Sequence, residues 1–96
     1  MYYKGRGVLQ DLDKALKWIK KAASQGYPDA QSTLGSMYYR GKGVPQDDIN
    51  AYKWLNLAAA QGHKKAAKAR DAISKTMTPV QLSKAQELAR EWKPVE

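Results

Sequence analysis

Residues 37–66 read MYYRGKGVPQDDINAYKWLNLAAAQGHKKA, and residues 1–30 read MYYKGRGVLQDLDKALKWIKKAASQGYPDA. The two segments lie 36 positions apart and carry the same residue at sixteen of their thirty positions. A period of this length without a strand pattern is typical of stacked helical hairpins, because each hairpin buries its apolar face only against the next one. The sequence therefore predicts an all-α solenoid, in which function lies on an extended surface rather than in a catalytic pocket.

The first helix type in the repeat, helix A, begins at Pro28 and ends before Gly41, since proline suits a first helical turn and glycine follows a last one. Gly35 lies beside its apolar stripe, where the missing side chain allows a neighbouring helix to approach closely. The stripe itself recurs at helical spacing and consists of Ala30, Leu34, Met37 and Tyr38.

The second type, helix B, follows an aspartate in each repeat, because a carboxylate accepts hydrogen bonds from the first-turn N–H groups. The predicted caps are Asp11 or Asp13 in the first repeat and Asp47 or Asp48 in the second. Apolar residues then recur at helical spacing: Ala15, Ile19, Ala22 and Ala23 in one copy, and Ala51, Leu55, Ala58 and Ala59 in the other.

Glycines and aromatic residues complete this pattern. Gly26 and Gly62 are predicted to end the two B helices in the left-handed conformation, and both Gly-x-Gly segments, at 5–7 and 41–43, to be helix-ending turns. The aromatic residues that repeat with the apolar stripe are expected to pack in the core rather than to stack on bases: Tyr2, Trp18, Tyr38 and Trp54.

The chain closes with a different helix. Thr78, Pro79 and Gln81 match an N-cap, a first-turn proline and the glutamine of a capping box. The apolar stripe of the helix that follows is Leu82, Ala85, Leu88, Ala89 and Trp92.

The order Leu34-Gly35-x-Met37-Tyr38, Gly41-x-Gly43-Val44, Ala51-x-x-Trp54 and Ala58-Ala59-x-Gln61-Gly62 closely resembles the Sel-1-like repeat, a relative of the tetratricopeptide repeat. The resemblance implies a right-handed α-solenoid that serves as an adaptor or scaffold for other proteins, often in bacteria. It divides the chain into Sel-1-like repeats at 1–76 and a C-terminal capping helix and tail at 77–96. The repeats are a truncated repeat at 1–26, a full repeat at 27–62 and a degenerate helix A at 63–76.

In solenoids of this kind the A helices line the concave groove. With its apolar stripe inward, the first complete helix A turns these residues to solvent: Asp29, Ser32, Ser36, Tyr39 and Arg40. The cations at the corresponding face of the last helix A are Lys65, Lys68 and Lys75. We predict a short basic groove with a tyrosine anchor, suited to an acidic or C-terminal peptide segment of another protein. The competing interpretation is a charged helix face that contacts only water.

The formal net charge of +8 also fits a basic module that binds nucleic acid or an acidic surface. The two halves of the chain carry equal excess charge, however, and no long basic stripe forms. Lys14, Lys17 and Lys21 share the outer face of the first helix B, but the second repeat places Asn50, Lys53 and Leu57 there. Nucleic acid is therefore the alternative and not the preferred partner.

Catalytic and metal chemistry find little support in the sequence. The chain has no cysteine, which excludes disulfides, thiol nucleophiles and thiolate metal ligands. His63, the one histidine, lacks a ligand cluster at metal-binding spacing and is expected to begin a helix. Because no serine has a partnering histidine, we predict no enzyme activity, cofactor or metal.

The period aligns Met1 with Met37, near the end of a helix A, so most of the first helix A is missing. Either the chain is a fragment of a longer array or its natural start falls inside a repeat. The face of Ala15, Ile19 and Ala22 then lacks its usual cover, and we expect a second copy to pair there. Without an apolar run of about 18 residues or a secretory signal, the chain is expected to be soluble: cytoplasmic as given, periplasmic or secreted if a longer precursor exists.

Overall fold

The structure, a computed structural model, describes residues 5–94, with side chains from Asp13 onward. This part of the chain forms five α-helices and no strand: α1 (Gly5–Ser24), α2 (Pro28–Arg40), α3 (Asp48–Ala60), α4 (Lys64–Ser74) and α5 (Pro79–Glu91). Helix α2 packs between α1 and α3, and α3 also packs against α4 and α5. The predicted all-α array of stacked helices is confirmed.

Local sequence signals place most of the helix ends. Gly26 and Gly62 have φ angles of 102° and 93°, the left-handed conformation expected after α1 and α3. Asp47 caps α3, since its Oδ1 accepts from the Asn50 backbone N–H at 3.1 Å. At α5, Thr78 and Gln81 form the predicted capping box with distances of 3.1 and 3.0 Å.

The first repeat differs from the prediction at its N-terminal turn. Helix α1 begins at Gly5, so the segment 5–7 is helical rather than a helix-ending turn, and neither Asp11 nor Asp13 caps the helix. In the second repeat, Pro45 follows Gly43, and its ring and missing N–H prevent a helix from passing through this position. Leu9 occupies the equivalent position and allows the helix to continue.

The core lies on both sides of α3. Leu55 is fully buried at its centre, in a cluster with Ile73 of α4 and Ala85 of α5. A second cluster joins Ala23 of α1 and Leu34 of α2 to Trp54 of α3. Helices α2 and α3 approach most closely beside Gly35, as predicted: a Cβ atom there would lie 2.7 Å from Leu55 Cγ.

The two equivalent tryptophans have opposite environments. Trp54 is 7% exposed and meets Trp92 edge to face, with ring centroids 6.0 Å apart at 72°. The Lys53 ammonium lies 4.4 Å from the Trp54 ring centroid, and burial lowers the pKa of Lys53.

Trp18 is 70% exposed, so its predicted core position is wrong. Trp92, just beyond α5, covers Trp54, whereas Lys21 Nζ lies over the Trp18 ring, 5.6 Å from its centroid. Tyr38 is partly buried against both clusters, and Tyr2 lies outside the described residues.

A partly buried amide network links the turn before α2 to the turn after α3. Gln31 is fully buried, and its Nε2 donates to the Ala23 carbonyl oxygen at 3.2 Å. The Gln61 amide donates to Gln31 Oε1 at 3.0 Å and to the Gly26 carbonyl oxygen at 2.8 Å. Because these bonds join residues 30 to 35 positions apart, they set the register of one repeat against the next.

Candidate functional site

Helices α2 and α4 are successive A helices, and a side-chain contact links their N-terminal ends. His63 Nδ1 accepts from the Ala66 backbone N–H at 3.1 Å, which confirms that His63 begins α4. His63 Nε2 lies 3.1 Å from Asp29 Oδ1 at the start of α2. The tautomer with its hydrogen on Nε2 satisfies both contacts. Asp29, proposed from the sequence as a groove residue, therefore has a partner inside the protein, although its side chain is 97% exposed.

A hollow of about 200 Å³ lies between α2 and α4. Its α2 side consists of Ser36, Tyr39 and Arg40, three residues that the sequence places on the solvent face of helix A. Tyr39 is 46% exposed, so its ring remains accessible to a partner. The remaining lining is apolar and comes from α3 and α4: Leu55, Ala69, Ala72 and Ile73.

The other predicted residues lie outside this hollow. Ser32 is half-buried on α2 and does not line it. Lys65 and Lys68 are exposed and share one side of α4 with Ala72, and the exposed Lys75, which caps the C-terminus of α4, continues the spacing of three or four residues. They stand beside the hollow as a row of cations rather than inside it.

The charges beside the hollow are one-sided. Among the residues whose side chains the structure describes, the carboxylates near α4 already have partners: Asp71 pairs with Arg70 at 3.1 Å, and Asp29 with His63. No ion pair joins a described carboxylate to Arg40 or to the three lysines of α4. The positive charge of this face therefore remains available to an anionic partner.

A second hollow, of about 280 Å³, lies between α1 and α2 and was not predicted. It shares Ser36 and Arg40 with the first hollow, and its other lining residues are Ile19, Thr33, Met37 and Lys42. A shift of 36 positions converts Ile19, Thr33, Ser36 and Met37 into Leu55, Ala69, Ala72 and Ile73. The sequence period could have located this second hollow once the first was known.

The arrangement is suited to binding. The apolar lining of the hollows can bind an apolar side chain, and the hydroxyl and cationic groups at their edges can bind a carboxylate. Within the described residues, no group of three His, Cys, Asp or Glu side chains could hold a metal ion. None of the helices in that part of the chain has the length and apolar character needed to cross a bilayer.

These features define a helical-repeat protein with an open groove, and comparison with known proteins gives its family. Residues 1–27 and 28–63 each match the family model of the Sel1 repeat. The fold is similar to the crystal structure of a protective antigen of uropathogenic Escherichia coli that displays an SLR fold, the Sel1-like repeat fold. The TM-score is 0.81 at 33% sequence identity, and the match covers 84% of this chain and 18% of the antigen chain. No curated protein matches the sequence.

The chain belongs to the Sel1 repeat family. Repeats of this family are generally protein–protein interaction modules.

Proposed function

We propose that this domain is an adaptor that binds a segment of another protein in the groove between its A helices. This α2/α4 groove comprises Ser36, Tyr39 and Arg40 of α2, Lys65, Lys68 and Ala72 of α4, and Lys75 at the C-terminal cap of α4. The observation that carries the proposal is the hollow in which the solvent-facing residues of α2 meet the apolar side of α4. The accessible apolar surface of Ala69 and Ala72 lies beside an exposed tyrosine and an arginine, two residue types that are enriched at interaction hot spots.

The chemistry of the groove favours an acidic or C-terminal segment. Arg40 offers a planar guanidinium that binds a carboxylate through two hydrogen bonds, and the α4 lysines extend the positive field beyond it. Tyr39 offers ring surface and a hydroxyl at low cost in conformational entropy. No acidic residue lines the hollow, so a carboxylate entering it meets no repulsion from the lining.

Reversing the charge of the groove tests the proposal. In Arg40→Glu/Lys68→Glu, both replaced side chains are exposed, so helicity by circular dichroism is expected to remain unchanged. Partner affinity, measured by titration calorimetry on a protein identified by co-purification, should fall at least about tenfold, which is about 1.4 kcal/mol.

The matched control is Lys14→Glu/Lys21→Glu, which changes the net charge equally on the exposed face of α1. We expect this variant to bind as the unchanged protein does. Equal binding by both double variants would exclude the groove.

The alternative function, binding to nucleic acid or another acidic surface, draws on the net charge of +8 and the exposed lysines of α1 and α4. It predicts a steep loss of affinity with salt and comparable losses for both charge-reversal pairs, because counterion release depends on the number of cations. The interrupted stripe on the B helices argues against it: Lys53, at the position of Lys17, is partly buried over Trp54.

We also infer that the uncovered side of α1 can pair with a second copy of the chain. Of the face predicted from the sequence, Ile19 packs against the cluster of Ala23, Leu34 and Trp54 and is not available. Ala15 and Trp18 are exposed and Ala22 is half-buried, and their spacing places all three on one side of the helix. Lys14, Lys17 and Lys21 flank them, so a symmetric pair would bring like charges together.

The expected result is salt-strengthened dimerisation. Light scattering should show mass increasing with protein concentration at an ionic strength of about 1 M, where screening reaches about 3 Å, and less so at low salt. Trp18→Ser should remain monomeric under the same conditions. If the original chain keeps the mass of a monomer at every protein concentration, the pairing is excluded.

A further inference from the structure

We propose that the domain binds two apolar side chains of one extended acidic segment, one in each of the hollows on the two sides of α2. The inference rests on the proposed function, because it takes the α2/α4 groove as the binding surface and adds the hollow between α1 and α2 to it. The predicted ligand pattern is apolar-x-x-apolar, with an acidic residue between the two apolar ones.

The two hollows are copies of one feature of the repeat. Ile19 at the floor of one corresponds to Leu55 at the floor of the other, and Met37 corresponds to Ile73. Each is smaller than the pockets of about 300–1,000 Å³ that hold drug-sized ligands, so each suits a single side chain. A surface with two similar hollows is suited to a ligand with two similar apolar side chains at matching spacing.

The residues shared by the two hollows determine which ligand residue fits between the two apolar ligand side chains. Ser36 and Arg40 line both hollows and so form the ridge that separates them. Lys42, just past the C-terminus of α2, also lines the α1/α2 hollow, and Lys68 lies on α4 beside the other hollow. A carboxylate above the ridge would meet the Arg40 guanidinium in a positively charged region, which is the reason for an acidic residue between the apolar ones.

The spacing follows from helix packing. The two hollows lie on opposite sides of the ridge formed by Ser36 and Arg40 of α2, so we expect their centres to be separated by about one helix spacing, about 8–10 Å. A polyproline II segment rises about 3.1 Å per residue with three residues per turn, so positions i and i+3 lie on one side about 9 Å apart. A β-strand places same-side residues about 7 or 13 Å apart instead, at two or four residues. The spacing of a polyproline II segment therefore matches the separation of the two hollows best.

Selection from a random nine-residue peptide display library tests the pattern without a known partner. We expect bound peptides to be enriched in two aliphatic residues three positions apart with Asp or Glu between them. Enrichment of apolar residues four and seven positions apart, which indicates a helix, or of adjacent apolar residues, would overturn the inference.

Variants that fill one hollow at a time test the same idea from the protein side. Thr33→Phe places a ring in the α1/α2 hollow and Ala72→Phe places one in the α2/α4 hollow; both positions are exposed, so folding should be retained. Each should lower the affinity for a selected peptide at least tenfold by fluorescence anisotropy. Ala60→Phe, at an exposed position of α3 that lines neither hollow, is the matched control and should bind normally.

Double-mutant cycles assign each ligand side chain to its hollow. Replacing one aliphatic residue of the peptide by alanine should remove sensitivity to one hollow-filling variant and keep sensitivity to the other. Peptides that bind independently of Arg40→Glu/Lys68→Glu would contradict the proposed function itself. Peptides that depend on those charges but tolerate both hollow-filling variants would leave the proposed function intact and overturn the two-well inference.

Discussion

Trp54→Ala is expected to lower the free energy of unfolding by about 3–5 kcal/mol, the range for truncating a buried aromatic side chain. Trp54 is 7% exposed and joins three parts of the fold: Ala23 of α1, Leu34 of α2 and Trp92 just beyond α5. Its removal would leave a cavity where the N-terminal and C-terminal elements meet. Since domains of this size have about 5–15 kcal/mol of stability in total, the variant should be close to unfolding at 37 °C.

Trp18→Ala is the matched control, because the same residue occupies the same repeat position but is 70% exposed. Exposed substitutions usually change stability by less than about 0.5 kcal/mol, and we expect that here. Urea denaturation followed by circular dichroism measures both changes. Equal losses for the two variants would show that Trp18 is covered in solution and would contradict its exposure in the structure.

Gly35→Val is expected to destabilise the domain by about 3 kcal/mol, at the upper end of the usual cost of overpacking. Even the first added atom would lie 2.7 Å from Leu55 Cγ and 3.0 Å from the Ala51 carbonyl oxygen. The backbone oxygen cannot move aside as a side chain can, so α2 and α3 would have to separate. That separation would also disturb Leu55, the floor of the α2/α4 hollow.

Ser32→Val on the same helix is the control for Gly35→Val. It adds the same side chain at a half-buried position, where the helix-propensity difference is only a few tenths of a kcal/mol. Thermal unfolding of the two variants should separate the steric cost from the propensity cost. A Gly35→Val protein as stable as Ser32→Val would show that the helices do not pack closely at this point.

The helices and their ends were predictable where a local rule decides them. The period located α2 and α3, the Thr78–Gln81 capping box located α5, and the missing side chain of Gly35 indicated a close helix contact. The start of α1 did not follow from the repeat, because the turn of the second repeat depends on Pro45, and the first repeat has Leu9 at that position. Gly7 and Gly43 are equivalent in the repeat, but Gly7 is helical and Gly43 is not, because Leu9 follows the first and Pro45 follows the second.

Burial was predictable only where the neighbouring element was known. Trp18 and Trp54 are equivalent in sequence, but Trp92 covers only Trp54, and Trp92 lies outside the repeat pattern. The candidate site shows the same limit. A helical wheel placed Ser36, Tyr39 and Arg40 on one face, yet it could not show the hollows, which are spaces between helices. Nor could it show that Asp29 contacts His63, 34 residues away.

The central claim is that partners bind on the A-helix side of the domain, and amide chemical-shift mapping tests it most directly. Isotope-labelled domain would be titrated with a peptide selected from the library. We predict that shifts concentrate around Ile19 of α1, at residues 33–42 of α2 and its following turn and at residues 68–75 of α4 and its C-terminal cap, while residues 83–87 of α5 remain unchanged. Shifts confined to α1 or α5 would contradict the account.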